Sequence, residues 1–506
     1  MDMLSIHDKP WWAGLALVAL AAGLCILTVT STQGKPLVNQ IARLRPTRRT
    51  STSKTPPRSI FPKSKQAAAA AAVPQKPSSS PTNPVDVLPP QRRHVLATLG
   101  VSHKSEIGEE DVRRKILPMT VDYTTACQGG DNEERYTPTG FSVADLKALG
   151  DFPDYAALSG VPLPAPYPGF DIKRALPRPY RPFRWTYHQT MSLTKLEPDW
   201  WLELENTYKE RIAQRKALFA EHGSSVLGAL PGSELACKEL MEMVLQFLCA
   251  RYPQYFTLID NRILKNGILG TEQDIRAKPP LEILMDNVPE DFGIMLRDDK
   301  TGNYFLRAGV ICSSMGWNVG TKIGLQLHQI HDPIPDYKEK MQFSMDRFFT
   351  KMPSDKPIQR GSWGLEIGKP LYMPAGDPHE KLRTFQDPDL KLEDCFLRVD
   401  WQTLRRLPLS AAVVFNFKAL FTPVTEFRDE PCVPALLKKI MTEGKENLIK
   451  YKATWHVEHV LLPQFEEWIR EQEESGAVPR DWEVSTLDDS PWFKNWQEKW
   501  HRQQGF

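Results

Sequence analysis

The chain has few cysteines for its length, and they are scattered. Its 506 residues contain seven cysteines, and no two of them have C-x-x-C spacing. That spacing is typical of zinc ribbons, thioredoxin-like redox sites and several iron–sulfur sites, so the sequence disfavours all three. An odd number of dispersed cysteines is expected of a protein whose thiols stay reduced, as they do in the cytosol.

Several common functional motifs and any strong charge excess are also missing from the sequence. It contains no G-x-G-x-x-G, no G-x-x-x-x-G-K-[ST] and no G-x-S-x-G, so nucleotide loops and a hydrolase elbow are unsupported. The formal net charge of +2 gives no reason to expect nucleic acid as a partner. His456 and His459 lack the H-E-x-x-H spacing of zinc proteases, and we interpret them as a surface pair.

A long uncharged run near the N-terminus predicts a transmembrane anchor. No charged residue occurs between Pro10 and Gly34, and the apolar core runs from Trp11 to Val29. Nineteen helical residues span roughly 29 Å, which matches a hydrocarbon core of about 30 Å. A cleaved signal peptide is the alternative, but its positively charged n-region would be weak because Asp2 and Asp8 offset Lys9.

The charges that follow this run predict its orientation. Nine basic residues lie between Lys35 and Lys65, and the first acidic residue after the run is Asp86. The positive-inside rule therefore places the C-terminal side in the cytosol. We expect the membrane to be the endoplasmic reticulum or another endomembrane. The basic stretch is also suited to contact with anionic lipid headgroups of the bilayer.

Composition divides the chain into five predicted regions. After the anchor (1–34), residues 35–93 are rich in Pro, Ser, Thr, Lys and Arg and predict a disordered tether. Residues 94–178 predict an extended or partly disordered wrap, residues 179–474 the folded domain, and residues 475–506 a Trp-rich extension. In that extension, Trp492, Trp496 and Trp500 recur every fourth residue and predict a helix docked on the domain.

The folded domain shows both helical and strand patterns and predicts an α+β fold. Helices are predicted over 198–221, 233–251 and 337–351, and over 446–474 with a kink or break at Pro463. Strands are predicted over 291–296, 304–313, 396–404 and 411–421, where aliphatic and aromatic residues dominate. Antiparallel strands with helices before, between and after them define the α+β class.

Four sequence blocks, taken in order, resemble the alpha subunit of heme-dependent oxidative N-demethylase and its fungal-type relatives, formerly a domain of unknown function. They are RPFRW at 181–185, VLGALPGS at 226–233, IHDPIPDY at 330–337 with DRFF at 346–349, and LRVDWQTLRRLP at 397–408. The resemblance covers roughly residues 179–470. It implies a PAS-like antiparallel sheet with flanking helices that holds heme b, and an O2-dependent removal of a methyl group from an amine. It also implies a separate electron-donating reductase.

A heme requires an axial donor, an apolar slot and cations for its propionates. His331 is the first candidate for the iron ligand, because it follows an apolar helical stretch and precedes Pro333. The residues alone leave open a capping or buried structural histidine, and His328 and His188 are competing ligands. The resemblance at Ile-His-x-Pro-x-Pro favours His331.

The remaining site candidates are cations, distal donors and a carboxylate. Arg347 and Arg360 are the propionate candidates because guanidinium groups pair with carboxylates. Arg405 and Arg406 are expected to adjoin the pocket wall. Tyr187 and His188 are expected to line the distal pocket and to assist O–O cleavage.

Asp400 is the carboxylate expected to face a cationic amine substrate. At Asp400 and Trp401 the family pattern has Glu and Arg. This exchange suggests the hypothesis of a bulkier or less polar amine than dimethylamine.

The sequence thus predicts a membrane-anchored heme oxidase. A heme-binding PAS-type sensor or carrier without catalysis is the alternative, and the two exchanges favour it. A scaffold that recruits partner proteins is a third hypothesis. The absence of a recognisable sensor output module favours the enzyme.

Overall fold

The computed structural model describes residues 135–188, 190–298 and 301–505. The predicted anchor, the tether and the first part of the predicted wrap lie outside the described residues. Within the described part, no helix is both long and apolar enough to cross a membrane.

The described strands form two antiparallel sheets. Their bounds in chain order are β1 Thr194–Lys195, β2 Leu227–Ala229, β3 Phe256–Ile259, β4 Ile263–Asn266, β5 Thr271–Asp274, β6 Asp291–Arg297, β7 Tyr304–Val310, β8 Ile358–Ile367, β9 Cys395–Arg406 and β10 Val413–Pro423. The larger sheet has the order β1-β8-β9-β10-β6-β7-β2, and the smaller one has the order β3-β4-β5. All pairings are antiparallel.

Helices precede, interrupt and follow these strands, which confirms the α+β class. Their bounds are α1 Val143–Leu149, α2 Tyr155–Ser159, α3 Tyr208–His222, α4 Glu234–Arg251, α5 Pro280–Asn287, α6 Val319–Lys322, α7 Leu327–Ile330, α8 Tyr337–Lys340, α9 Gln342–Lys351, α10 Val433–Glu443, α11 Glu446–Lys452, α12 Trp455–Glu474 and α13 Trp496–Gln504.

The larger sheet buries one face along its central strands β9 and β10. Residues Val399, Trp401, Thr403 and Arg405 of β9 alternate onto this face and are all buried. The central helix α4 packs within the same core and is buried on most of its circumference, as its nearly continuous apolar sequence dictates. A second, smaller apolar cluster lies where α9 meets β6, β7 and the start of β10, around Met295, Tyr304, Leu306, Met345 and Phe349.

The C-terminal extension packs against the main core, as predicted for its tryptophans. Trp492, Trp496 and Trp500 are buried, and the first two rings stack with centroids 4.0 Å apart. The described part of the predicted wrap is tied to the domain by hydrogen bonds. The Tyr167 amide donates to the Arg251 carbonyl oxygen at 2.8 Å, and the Thr139 hydroxyl donates to the Leu409 carbonyl oxygen.

Three helix predictions were wrong in detail. The helix expected from residue 198 begins at Tyr208, because Glu203 and Glu205 lie in a segment without regular secondary structure and reach buried cations. The helix expected over 337–351 is interrupted at Met341. The break expected at Pro463 occurs instead at Ala453, where φ is +52°, and Pro463 lies inside α12.

Candidate functional site

The second face of the larger sheet is only partly covered. Because side chains alternate along a strand, the register between β8, β9 and β10 fixes which residues share this face. Arg360 lies opposite Gln402, Ser362 lies opposite Asp400, and Gln402 in turn lies opposite Phe417. These side chains and Phe415 are half-buried, whereas their sequence neighbours on β9 and β10 are buried. We call this half-covered surface the open face.

The open face combines apolar and charged groups. The Phe415 and Phe417 rings pack with centroids 4.5 Å apart, and Trp317 packs on Phe417 at 6.1 Å. The cation of Arg360 and the carboxylate of Asp400 occupy the β8–β9 side. An apolar wall beside a few polar groups is the usual composition of a small-molecule or cofactor site.

His331 lies directly after the one-turn helix α7, and its ring orientation is fixed from two sides. Its Nδ1 is 2.7 Å from the carbonyl oxygen of Leu327, and its ring stacks on Tyr337 with centroids 4.9 Å apart and planes 6° apart. A carbonyl oxygen only accepts hydrogen bonds, so Nδ1 carries the hydrogen and Nε2 keeps its lone pair. Within the described part of the chain, Nε2 has no hydrogen-bond partner.

The electrostatic surroundings of His331 keep its imidazole neutral. Burial lowers its pKa to about 4, and the positive charges of Arg360 and Lys322 act in the same direction, against the hydrogen bond to Leu327. A neutral imidazole with one nitrogen fixed by a backbone carbonyl is the form that binds a metal. The competing ligands His328 and His188 are both exposed.

Arg360 lies on the open face, and its positive charge acts on His331. Its guanidinium is half-buried, and Nε is buried without a hydrogen-bond partner among the described residues. Burial lowers its pKa, and its charge acts on Tyr187 and Tyr451 as well as on His331. Arg347, the other predicted propionate partner, is exposed on α9.

Tyr187 and His188 differ in their surroundings. Tyr187 is half-buried against Trp363, with ring centroids 5.9 Å apart, and burial raises its pKa far above its usual range. Its phenol therefore stays protonated and able to donate a hydrogen bond throughout the physiological range. His188 is exposed, and its neighbour Gln189 lies outside the described residues.

Asp400 is half-buried on the open face and has a cationic partner. Its Oδ1 accepts from Nε of Arg398 at 3.0 Å and lies 2.9 Å from Nη2. On the neighbouring strand, Ser362 faces Asp400, and Lys452 reaches over from the end of α11. The Lys452 Nζ lies 3.1 Å from Ser362 Oγ and 2.7 Å from the Trp363 carbonyl oxygen.

The register places Trp401 on the buried face, away from Asp400. Trp401 is 1% exposed, donates from Nε1 to Gln359 Oε1 at 3.2 Å, and stacks on Tyr180. The exchange of Arg for Trp at this position therefore does not alter the open face. The hypothesis of a bulkier amine then depends only on the exchange of Glu for Asp at position 400, which lies on the open face.

Neither Arg405 nor Arg406 presents its guanidinium to the open face. Arg405 lies 4.1 Å over the Trp201 ring in the buried core. Arg406 donates to the carbonyl oxygens of Met352, Phe349 and Ala411 beneath α9.

Two other features lie apart from the open face. A cavity of about 440 Å³ is bounded by β2, α4, the start of α5 and residues 151–152, but it contains none of the predicted site residues. His456 is 1% exposed, so the pair with His459 is not on the surface as interpreted. Among the described residues, no group of three or more His, Cys, Asp or Glu side chains is arranged to hold a metal ion.

Sequence reasoning missed Ser362, Tyr451, Lys452, Phe415 and Phe417. Alternation along β10 could have placed the two phenylalanines on one face, since that strand was predicted. Lys452 had no such signal, because its position depends on the turn at Ala453 that ends α11.

One comparison with known proteins bears on this arrangement. The family model described as "Haem-dependent oxidative N-demethylase, alpha subunit-like" matches residues 192–462, which is more than half of the chain. The matched range contains His331, Arg360, Asp400 and Lys452, whereas Tyr187 and His188 precede it. The chain therefore belongs to the heme-dependent oxidative N-demethylase alpha-subunit-like family, and heme is the cofactor that this membership implies.

Proposed function

We propose that the chain binds heme b at the open face, where Nε2 of His331 would bind the iron. The observation that carries this proposal is the state of His331: its Nδ1 is fixed by Leu327, its pKa is low, and its Nε2 is unbonded among the described residues. Metal-binding histidines usually make such a second hydrogen bond, because it fixes the tautomer and the ring orientation.

The other residues of the open face fit the same cofactor. Phe415 and Phe417 supply an apolar wall for a porphyrin, and Arg360 supplies a cation for a propionate. Arg360 forms no ion pair within the described part of the chain, so its charge is available. The antiparallel sheet with flanking helices supports the PAS-like arrangement that the family resemblance implies.

The proposed reaction is the O2-dependent removal of an N-methyl group from an amine. Bound heme would supply the iron chemistry that activates O2. Asp400 would attract the cationic amine, and Tyr187 and His188 would donate hydrogen bonds to the groups bound at the open face. The electrons would come from a separate reductase, since the described cysteines are all unpaired and do not cluster.

A non-catalytic heme sensor or carrier is the second candidate. The ion pair between Asp400 and Arg398 favours it, because this pair partly neutralises the carboxylate that would attract an amine. Formaldehyde release from an N-methylamine, measured with reductant and O2, separates the two candidates.

The absorption spectrum of the full chain tests the heme proposal. After heme supplementation, the wild-type protein and His328→Ala should show the same Soret band, and His331→Ala should lose the native band. A wild-type protein without a Soret band overturns both the oxidase and the sensor. A native band in His331→Ala, with loss of the band in His328→Ala or His188→Ala, reassigns the ligand.

The membrane anchor is a further part of the proposal. It is supported by the uncharged run from Trp11 to Val29 and the basic stretch behind it. The arrangement would place the folded domain at the cytosolic face of an endomembrane, where apolar amines concentrate. Alkaline carbonate should leave the full chain in the membrane fraction and should extract a chain that lacks residues 1–34; extraction of both would refute the anchor.

A further inference from the structure

Lys452 brings an amine from a distant helix onto the open face. It is the last residue of α11, and Ala453 follows in the left-handed conformation, which turns the chain away. The Nζ donates to the Trp363 carbonyl oxygen at 2.7 Å and to Ser362 Oγ at 3.1 Å. Both acceptors belong to β8, and Ser362 is paired directly with Asp400 on β9. The amine is therefore held beside the carboxylate that the proposed function assigns to the substrate.

Lys452 and Asp400 are close enough to interact electrostatically, yet they do not form an ion pair among the described contacts. Asp400 pairs instead with Arg398, which approaches from its own strand. The carboxylate is 34% exposed, so part of it remains accessible from the open face. A small polar group could therefore contact Asp400 and Lys452 together.

The charges around Lys452 disfavour its protonated form. Burial lowers its pKa to about 8, and the positive charge of Arg360 adds to this effect, while Asp400 opposes it. The neutral, proton-accepting form of this amine is therefore more populated near neutral pH than that of an ordinary lysine, whose pKa is about 10.4. Tyr451 precedes Lys452 on the same helix, and its raised pKa keeps it uncharged.

Oxidation of an N-methylamine requires the nitrogen lone pair, but an alkylamine is protonated at neutral pH. Asp400 alone would strengthen that protonated form, because a carboxylate stabilises an adjacent cation. A base near Asp400 is therefore needed, and a base is most effective when its pKa lies near the working pH.

We propose that Lys452 is the base that accepts the proton of an alkylammonium substrate held at Asp400. The substrate N–H bond breaks, and the proton moves to the Nζ lone pair. The substrate leaves this step as the neutral amine, and Lys452 becomes the ammonium ion. Asp400, Ser362 Oγ and the Trp363 carbonyl oxygen stabilise the new charge. The inference deepens the proposed function and rests on it.

The ionisation of Lys452 can be measured without turnover. Competitive acetylation of the heme-supplemented full chain, followed by mass spectrometry, reports the reactivity of each lysine against pH. We expect a midpoint near pH 8 for Lys452, and slower acetylation when dimethylamine is added. A midpoint near the ordinary lysine value of about 10.4, or no protection by dimethylamine, would overturn the proposal.

The pH dependence of kcat/KM provides the functional test. Lys452→Met removes the amine, and Lys452→Arg keeps a cation that cannot release its proton. Both variants should keep the Soret band, lose the rise in kcat/KM near pH 8, and lose about 10²–10⁴-fold in kcat/KM at that pH. Lys450→Met, at an exposed position of the same helix, is the matched control and should match the wild type.

The outcomes distinguish a failure of the proposed function from a failure of the role of Lys452. A wild-type chain without heme or without formaldehyde release overturns the proposed function and, with it, the role of Lys452. A wild-type chain that turns over, together with a Lys452→Arg variant that keeps the same pH profile, overturns only the role of Lys452. Loss of the Soret band in both variants would also overturn it, because Lys452 would then be needed to hold the cofactor.

Discussion

The Nδ1 atom of His331 is hydrogen-bonded to the carbonyl oxygen of Leu327, four residues earlier, at 2.7 Å. The same carbonyl also accepts the backbone N–H of His331 at 3.1 Å, so the main chain and the imidazole of His331 are both fixed to the first residue of the one-turn helix α7. The Nζ of Lys322 donates to the Ile330 carbonyl oxygen at 3.0 Å and stabilises the same turn. The candidate ligand is thus held by its own segment before any cofactor binds.

The low pKa of His331 predicts that heme ligation survives mild acid. Burial lowers this pKa to about 4, so the ring stays neutral from pH 7 down to about pH 5 and becomes protonated only near pH 4. An iron ligand must be deprotonated. The native Soret band of the loaded chain should therefore be constant between pH 7 and 5.5 and should decline toward pH 4.

The control for this acid titration is His456, whose pKa is also lowered to about 4 by burial, and whose charged neighbours are Arg383, His379 and His459. His456→Gln should leave the spectroscopic midpoint unchanged. A midpoint near 6.5 in the wild type, the value of an ordinary histidine, would contradict the assignment.

Arg360 and Arg347 form a matched pair for the propionate contact. Arg360 is half-buried on the open face, and Arg347 is exposed on α9. A charge-assisted hydrogen bond contributes about 1.5–3 kcal/mol, so Arg360→Gln should weaken heme affinity by about tenfold or more. Arg347→Gln should change it by less than about twofold. Heme titration of the two variants, followed at the Soret band, measures both changes in heme affinity. Equal losses of affinity would exclude a specific role for Arg360.

Tyr187 should affect catalysis rather than heme binding. Its protonated phenol can donate a hydrogen bond to a group bound at the open face, and Tyr187→Phe removes only the hydroxyl. Loss of a positioned donor costs about 10²–10³-fold in kcat in comparable sites. The double variant Tyr187→Phe/His188→Ala should therefore keep the Soret band and lose turnover. Undiminished formaldehyde release by that variant would show that neither hydrogen-bond donor is needed for turnover.

Much of the fold was predictable because its central elements have strong local patterns. The strands β6, β7, β9 and β10 and the helix α4 are rich in aliphatic residues, and each was predicted within a few residues. Strand β8 was missed, since its sequence IQRGSWGLEI contains two glycines and alternates weakly. Its structure comes from pairing with β9 along its whole length, which local sequence does not encode.

The candidate site was only partly predictable for the same reason. His331 lies in a recognisable local motif, so the sequence could identify it. The orientation of Trp401 depends on the β8–β9 register, and a shift of one residue would bring it to the open face. The position of Lys452 depends on the turn at Ala453, about 50 residues after the end of β9. Pairings and turns of this kind are tertiary properties, and single-sequence patterns do not contain them.

The RPFRW block at residues 181–185 contributes to stability through Arg181, which lies in the buried core. Arg181 and Glu430 are both 0% exposed and form two hydrogen bonds of 2.6 Å, from Nε and Nη2. Removing one partner of a buried pair costs about 3–5 kcal/mol, because the other charge remains buried without compensation. Lys499 lies 3.1 Å from the same carboxylate and would offset part of that cost.

Arg181→Met should therefore lower the free energy of unfolding by at least about 2 kcal/mol in urea titrations. The exposed pair Arg428–Glu471 has the same fork geometry, with distances of 2.8 and 2.9 Å, and serves as the control. Arg428 is 65% exposed, so solvent screens the pair, and Arg428→Met should cost less than about 1 kcal/mol. Equal losses in the two variants would contradict the prediction that burial makes the Arg181–Glu430 pair the more costly one to break.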